Sequence, residues 1–208
     1  VFGTGEAGLG YQSAQLLNAF ADVASRPQDP ASRQVALARA QDAAAAFRNA
    51  GSQIETLQAG VTSDLKTSVK AVNALARTVA DLNRQIANAL GTGHTPNDLL
   101  DQRDQAIAEI GRYVQVSTIR ADDGSMNLFI GGGQRLVLGG EATPLVAMAD
   151  PYDPSQVHLG VSEGGTTRLV PDATLAGGSI AGLLRFQNED LRDARNLVGQ
   201  MAAALAGA

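Results

Sequence analysis

A chain of 208 residues, 44% of them hydrophobic, is long enough for one or two buried cores. Its formal net charge of −5, with lysine only at Lys66 and Lys70, gives no electrostatic basis for binding nucleic acid or an anionic membrane. Aromatics at 4% with no Trp leave little for a stacking cleft, and the absence of Cys excludes disulfides and thiolate metal centres.

Val1 to Gly10 is glycine-rich, and Gly3, Gly5 and Gly8 formally match G-x-G-x-x-G. A dinucleotide loop would need a preceding strand and a βαβ unit. Only Val1 and Phe2 precede it, so the stretch reads as an irregular lead-in. It also lacks the cationic and apolar regions of a cleavable secretory signal. Tyr11 to Ser25 is predicted to be a short amphipathic helix with Leu16, Leu17, Phe20 and Val23 on one side.

Asp29 then suits an N-cap and Pro30 the first helical position. From there to Leu90 the pattern is that of one alanine-rich helix. Its seam is Phe47, Ala50, Ile54, Leu57, Val61, Leu65, Val72, Val79 and Ile86, with Leu75 and Leu82 as a second line. The four-residue step from Val61 to Leu65 reads as a stutter. A helix of about 60 residues spans on the order of 90 Å, which suits a rod. Gly51 and Gly60 are the places where it could kink. No run of about 18 apolar residues occurs, so no membrane span is expected.

Gly91 to His94 ends the long helix. Thr95-Pro96-Asn97-Asp98 has the form of a cap, with Thr95 at the N-cap, and opens a helix from Asn97 to Arg112. Leu99, Leu100, Ile107 and Ile110 should face inward. Asp101 and Asp104 share a face and could be imagined as an acid/base pair. No nucleophile, histidine or metal set accompanies them, so dipole complementation and surface ion pairing is the preferred reading.

After Arg112 the period changes to two. Tyr113 to Ile119 and Met126 to Ile130 form a predicted hairpin around Asp122-Asp123-Gly124. Gly131-Gly132-Gly133 lacks the Lys-Ser/Thr and helix of a phosphate loop and is expected to bend a sheet. Arg135–Leu138, Leu145–Met148, Gln156–Val161 and Thr166–Val170 are further strands. His94 and His158 are expected to be solvated. From Gly177-Gly178 helical spacing returns through Leu184, Leu191, Ala194, Val198, Met201 and Leu205, and this helix should pack along the long one. The expected fold is mainly α: a helical-bundle rod (1–112 with 177–208) carrying an inserted antiparallel β domain (113–176).

Three segments resemble the flagellar hook-associated protein 1 family. They are Asp29-Pro30-Ala31-Ser32-Arg33-Gln34, Asn97-Asp98-Leu99-Leu100-Asp101-Gln102-Arg103-Asp104, and Gly177 to Phe186, the second being the most specific. The family often has Arg-Asp after that phenylalanine, where this chain has Gln187-Asn188. The resemblance implies a flagellin-like, non-enzymatic part of the extracellular bacterial flagellum, exported through the type III channel. It would form the first junction ring between hook and filament and transmit torque. It implies no cofactor or metal, and as partners other copies of itself, the hook protein, the next hook-associated protein and an export chaperone. That chaperone would act through a C-terminal segment lying outside this sequence. The sequence then looks like the middle of a longer protein, expected to be monomeric by itself. The alternative class is a secreted helical interaction protein, such as an adhesin or type III translocator.

Overall fold

A computed structural model of the chain describes residues 5, 8–93 and 95–207, so His94 and Gly3 lie outside the described residues. Three helices come first: α1 (Leu9–Ser25), α2 (Pro30–Gly91) and α3 (Asn97–Tyr113). Seven strands follow: β1 (Ser117–Arg120), β2 (Met126–Ile130), β3 (Gln134–Leu138), β4 (Glu141–Ala142), β5 (Leu145–Ala149), β6 (Val157–Glu163) and β7 (Thr166–Leu169). A 3-10 turn (Asp172–Thr174) leads to α4 (Gly178–Arg185), a π-helical turn (Phe186–Leu191) and α5 (Arg192–Ala206). The chain is thus mainly helical with antiparallel sheets. Contacts divide it into two compact units, one ending at Leu57 and resuming at Asp190, the other running from Gln58 to Glu189. The strands therefore share a unit with the second half of α2.

Helix α2 starts where Asp29 can cap it. The Asp29 carboxylate accepts the backbone N–H of Ala31 at 3.1 Å and of Ser32 at 3.3 Å, and the Ser32 hydroxyl at 2.7 Å. The helix then runs 62 residues without a break. Gly51 and Gly60 do not interrupt it, since each costs only about 1 kcal/mol in an otherwise strong helix former. Helix α1 begins at Leu9, two residues earlier than its sequence suggests, because Leu9 is itself buried.

In the first unit the buried residues are Leu9, Leu16 and Ala19 on α1, with Ser32, Ala36, Ala43, Ala50 and Ile54 on α2, so α2 contributes mainly small side chains there. Leu17 and Phe20, expected inside, are about half exposed. The inward face of α1 is Leu9–Leu16–Ala19. The return helix is not one element. Leu184 and Leu191 are buried, the π-helical turn intervenes, and Ala194, Val198, Met201 and Leu205 form a half-buried stripe on α5.

The second unit has one continuous core. Leu65, Val69, Val72, Ala76, Val79 and Ala80 of α2 meet Ile110 and Val114, the strand residues Leu128, Leu136, Leu145 and Leu159, and Ile180 and Leu184 of α4. The strands form two antiparallel sheets, ordered β1-β2-β3-β4 and β5-β6-β7. Burial alternates in β6, where Val157, Leu159 and Val161 are inward, as a sheet with one covered face requires. The glycine triplet 131–133 turns β2 into β3, with φ positive at all three positions and the Gly133 N–H donating to the Ile130 carbonyl at 3.0 Å.

Two local expectations fail. Tyr113 closes α3, and Val114 to Val116 is an extended connection whose Gln115 N–H donates to the Gly177 carbonyl at 3.2 Å, so β1 starts only at Ser117. Thr95 does not cap α3. Pro96 occupies the cap position, where its missing N–H leaves no donor unsatisfied, and its carbonyl accepts from Leu99 and Leu100.

Candidate functional site

The chemistry that distinguishes this chain is a row of polar side chains on the buried face of α2. Apolar residues alone do not fill the seam. Gln58 and Asn83 are buried within it, and Ser68 as well. With them included, Gln58, Val61, Leu65, Ser68 and Val72 alternate by three and four. The consecutive fours fall instead at Ser68, Val72 and Ala76, so the irregularity is not at Val61–Leu65. Of the named seam residues, Leu65, Val72, Val79 and Ile86 are wholly buried, Leu82 is buried and Leu75 is half-buried.

The amides tie strand backbones to the helix. Asn73 Nδ2 donates to the Leu145 carbonyl and its Oδ1 accepts the Leu145 N–H, both at 2.8 Å. It thereby acts as an extra backbone partner for the start of β5. Asn83 does more. Its Nδ2 donates to the carbonyls of Met126 (2.9 Å) and Gly139 (2.8 Å), and its Oδ1 accepts the Met126 N–H at 2.9 Å. Gln58 Nε2 donates to the Ser155 carbonyl at 2.9 Å and to Gln187 Oε1 at 2.8 Å. Gln187, in the π-helical turn, then exchanges two bonds with Val157, each at 3.0 Å. Such groups can be buried because every one of these bonds is made inside the protein.

The segment Asn97 to Asp104 opens α3, and its residues divide sharply. Asn97, Asp98, Asp101, Gln102 and Asp104 are exposed, and Leu99 and Leu100 are half-buried. Arg103 alone is buried, at 3% exposure. Its guanidinium donates to the Gly124 carbonyl at 2.8 Å, reaches Asn83 Oδ1 at 3.5 Å and pairs with Asp104 at 3.8 Å. Burial lowers its pKa from the ordinary arginine value, with Asp104 opposing the shift. Arginine's intrinsic pKa is high enough that the group stays charged, so α2, α3 and the β1–β2 turn meet on one cation. Gly124 has φ +83°, which favours glycine, and a Cβ there would press on the Leu90 side chain of α2. Asp101 and Asp104 are both at the surface, and Asp104 meets only the neighbouring Arg103 among the ion pairs of the described residues.

His158 is not simply solvated. Its side chain is 21% exposed, with Nε2 3.1 Å from Asp150 and Nδ1 3.5 Å from Asp172. Alternation in β6 would have placed it on the outer face, but the two carboxylates come from positions that no local pattern connects. Among the described residues no group of three or more His, Asp or Glu side chains is placed to hold a metal ion. No described helix is long and apolar enough to cross a membrane.

A long helix locked to two sheets by backbone-directed amides, through one shared core, is the construction of a structural protein. A family model described as the flagellar hook-associated protein FlgK helical domain matches residues 1–208. Flagellar hook-associated protein 1 of Salmonella typhimurium (strain LT2) is 35% identical over 187 residues, covering 88% of this chain and 34% of the relative. Its counterpart in Escherichia coli (strain K12) is 31% identical over 208 residues, covering 99% and 38%. The solved structure of the flagellar hook junction protein FlgK from Burkholderia pseudomallei is similar with a TM-score of 0.82 and 34% identity, over 89% of this chain and 34% of that one. The chain belongs to the FlgK family of flagellar hook-associated proteins. It spans about a third of the length of the curated relatives it matches.

Proposed function

We propose that this chain is part of the first junction ring between hook and filament and passes torque across it. The observation that most supports this is the match of the whole chain to the FlgK helical domain, together with a 62-residue helix that no glycine interrupts. A continuous helix resists bending because each residue adds a backbone hydrogen bond, and a close-packed core resists shear because its side chains interlock. The latches at Gln58, Asn73 and Asn83 add direction to that resistance, since side-chain hydrogen bonds to backbone groups, made directly or through Gln187, fix register as well as distance. Within Asn97 to Asp104, Leu99, Leu100 and Arg103 pack into this scaffold together with the α2 seam, while the remaining polar side chains face solvent. The ring neighbours would be further copies of this protein, flanked by the hook protein and the next hook-associated protein. The whole protein would act outside the cell, after export. Replacement in a bacterium tests the reading: cells lacking the protein should shed filaments and stop swimming, and expression of the full-length protein should restore both. Normal swimming with attached filaments in the deleted strain would refute it.

A further inference from the structure

The carboxylates on either side of His158 have no part in the scaffold described above. His158 lies on β6, and the charged groups facing it come from two other elements: Asp150, in the turn after β5, and Asp172, in the 3-10 turn. The two are held differently. Asp150 Oδ1 accepts the backbone N–H groups of Tyr152 at 2.7 Å and Asp153 at 2.9 Å, and these bonds hold its carboxyl below the usual carboxylate range. Its Oδ2 is left for the imidazole. Asp172 has weaker support. Its Oδ2 accepts from Asn188 Nδ2 at 2.7 Å, while its Oδ1 is buried with no hydrogen-bond partner. Asp153, in the same turn as Asp150, is occupied by Ser155 and Gln156.

An imidazolium carries two N–H donors and a neutral imidazole one. Two carboxylates, one on each ring nitrogen, can both be satisfied only by the cation. We propose that His158 is a proton-operated clasp, joining β6 to the 3-10 turn when the ring is protonated and releasing the turn when it is not. On deprotonation the remaining N–H stays at Nε2, where Asp150 is fixed and the contact is shorter. Nδ1 then presents a lone pair to Asp172, and that contact is lost. What loosens is the 3-10 turn, whose Thr174 packs beside Gly131 and Gly132, and the adjoining π-helical turn held through Asn188. Beside both lies a surface cleft of about 530 Å³ lined by Asp172, Leu175, Ala181 and Arg185, so the freed segment borders open space.

The test uses the isotopically labelled protein carrying His94→Gln, so that His158 is the titrating histidine. Its ring nitrogens are followed by NMR from about pH 5.5 to about pH 8, across histidine's ordinary range. Amide exchange at Thr174 and Leu175, whose N–H groups donate to Pro171 and Asp172, is measured over the same interval and corrected for intrinsic rates. Both ring nitrogens should be protonated at the acid end. Protection at the two amides should fall about threefold to fivefold as the ring titrates, the effect of losing one partly exposed ion pair. The fall should vanish in His158→Gln and in Asp172→Asn. An equal pH dependence in either variant, or none in the parent protein, would overturn the proposal.

Discussion

Replacing Asn83 with alanine should be among the most damaging single changes available in the second unit. Asn83 is 1% exposed and makes three hydrogen bonds to backbone, two to Met126 of β2 and one to Gly139 in the β3–β4 turn. It also supplies the oxygen nearest the buried Arg103 guanidinium after the Gly124 carbonyl. Each intramolecular bond contributes about 1 kcal/mol net, and a buried donor or acceptor left without a partner costs more than that. Three such groups are orphaned, so the expected loss is about 3–4 kcal/mol. That is a substantial part of a typical domain stability of about 5–15 kcal/mol, but not all of it. For a unit of about 130 residues the melting temperature should fall by about 10 °C. Urea denaturation followed by far-ultraviolet circular dichroism gives the free energy, and amide exchange at Met126 shows directly whether its N–H has lost a partner. Thr78→Ala serves as the control. Its hydroxyl bonds to the Ala74 carbonyl of its own helix at an exposed position, and its removal should cost less than about 0.5 kcal/mol. Equal costs for the two variants, with the Met126 amide still protected, would refute the view that Asn83 latches the sheet to the helix.

Further outcomes follow from the same geometry. Gly60→Ala should raise stability by about 1 kcal/mol in denaturant melts, because the position is helical and an added Cβ meets nothing within 4 Å. Gly178→Ala should do the reverse, by more than about 1 kcal/mol. Its φ of +87° is unfavourable for alanine and a Cβ would strike the Tyr113 backbone at the end of α3. The Ser32 hydroxyl and the backbone N–H groups of Ala31 and Ser32 hold the Asp29 carboxyl below its ordinary value. A carboxyl so depressed stabilises the fold above its unfolded pKa of about 3.9, and that contribution disappears as pH falls through the folded value. Thermal melts of the parent protein and Asp29→Ala should therefore differ at neutral pH and converge on acidification below that window. Light scattering of the 208-residue chain should give the mass of a monomer, whereas a ring or filament mass would contradict the expectation.

The elements that announce themselves in the sequence are those specified by near neighbours. The start of α2 follows from Asp29-Pro30, its course from apolar spacing that survives two glycines, and the β1–β2 turn from Asp122-Asp123-Gly124. What could not be read is whatever depends on partners far away in the chain. Asn83 bonds to residues 43 and 56 positions away and Gln58 to one 129 away, and their acceptors include backbone carbonyls that every residue possesses. A pattern of apolar periodicity counts such amides as gaps in the seam, which is why it puts the irregularity near Val61 and the buried residues put it at Ser68 to Ala76. Arg103 is hidden for a similar reason: amid Asp101 and Asp104 it reads as one member of a surface ion-pair set, and only the fold reveals that it turns inward. The Gln187-Asn188 pair reads as a minor departure after Phe186, yet Gln187 is the centre of the buried amide cluster and Asn188 holds Asp172.

Localisation tests most directly whether the protein sits at the junction of hook and filament. The turn bearing Tyr152, whose side chain is 95% exposed, is an accessible surface site at which the full-length protein can carry a short epitope. Gold-labelled antibody viewed by electron microscopy should then mark a single narrow band where hook meets filament on each flagellum. Label spread along the filament or over the cell surface would contradict the account.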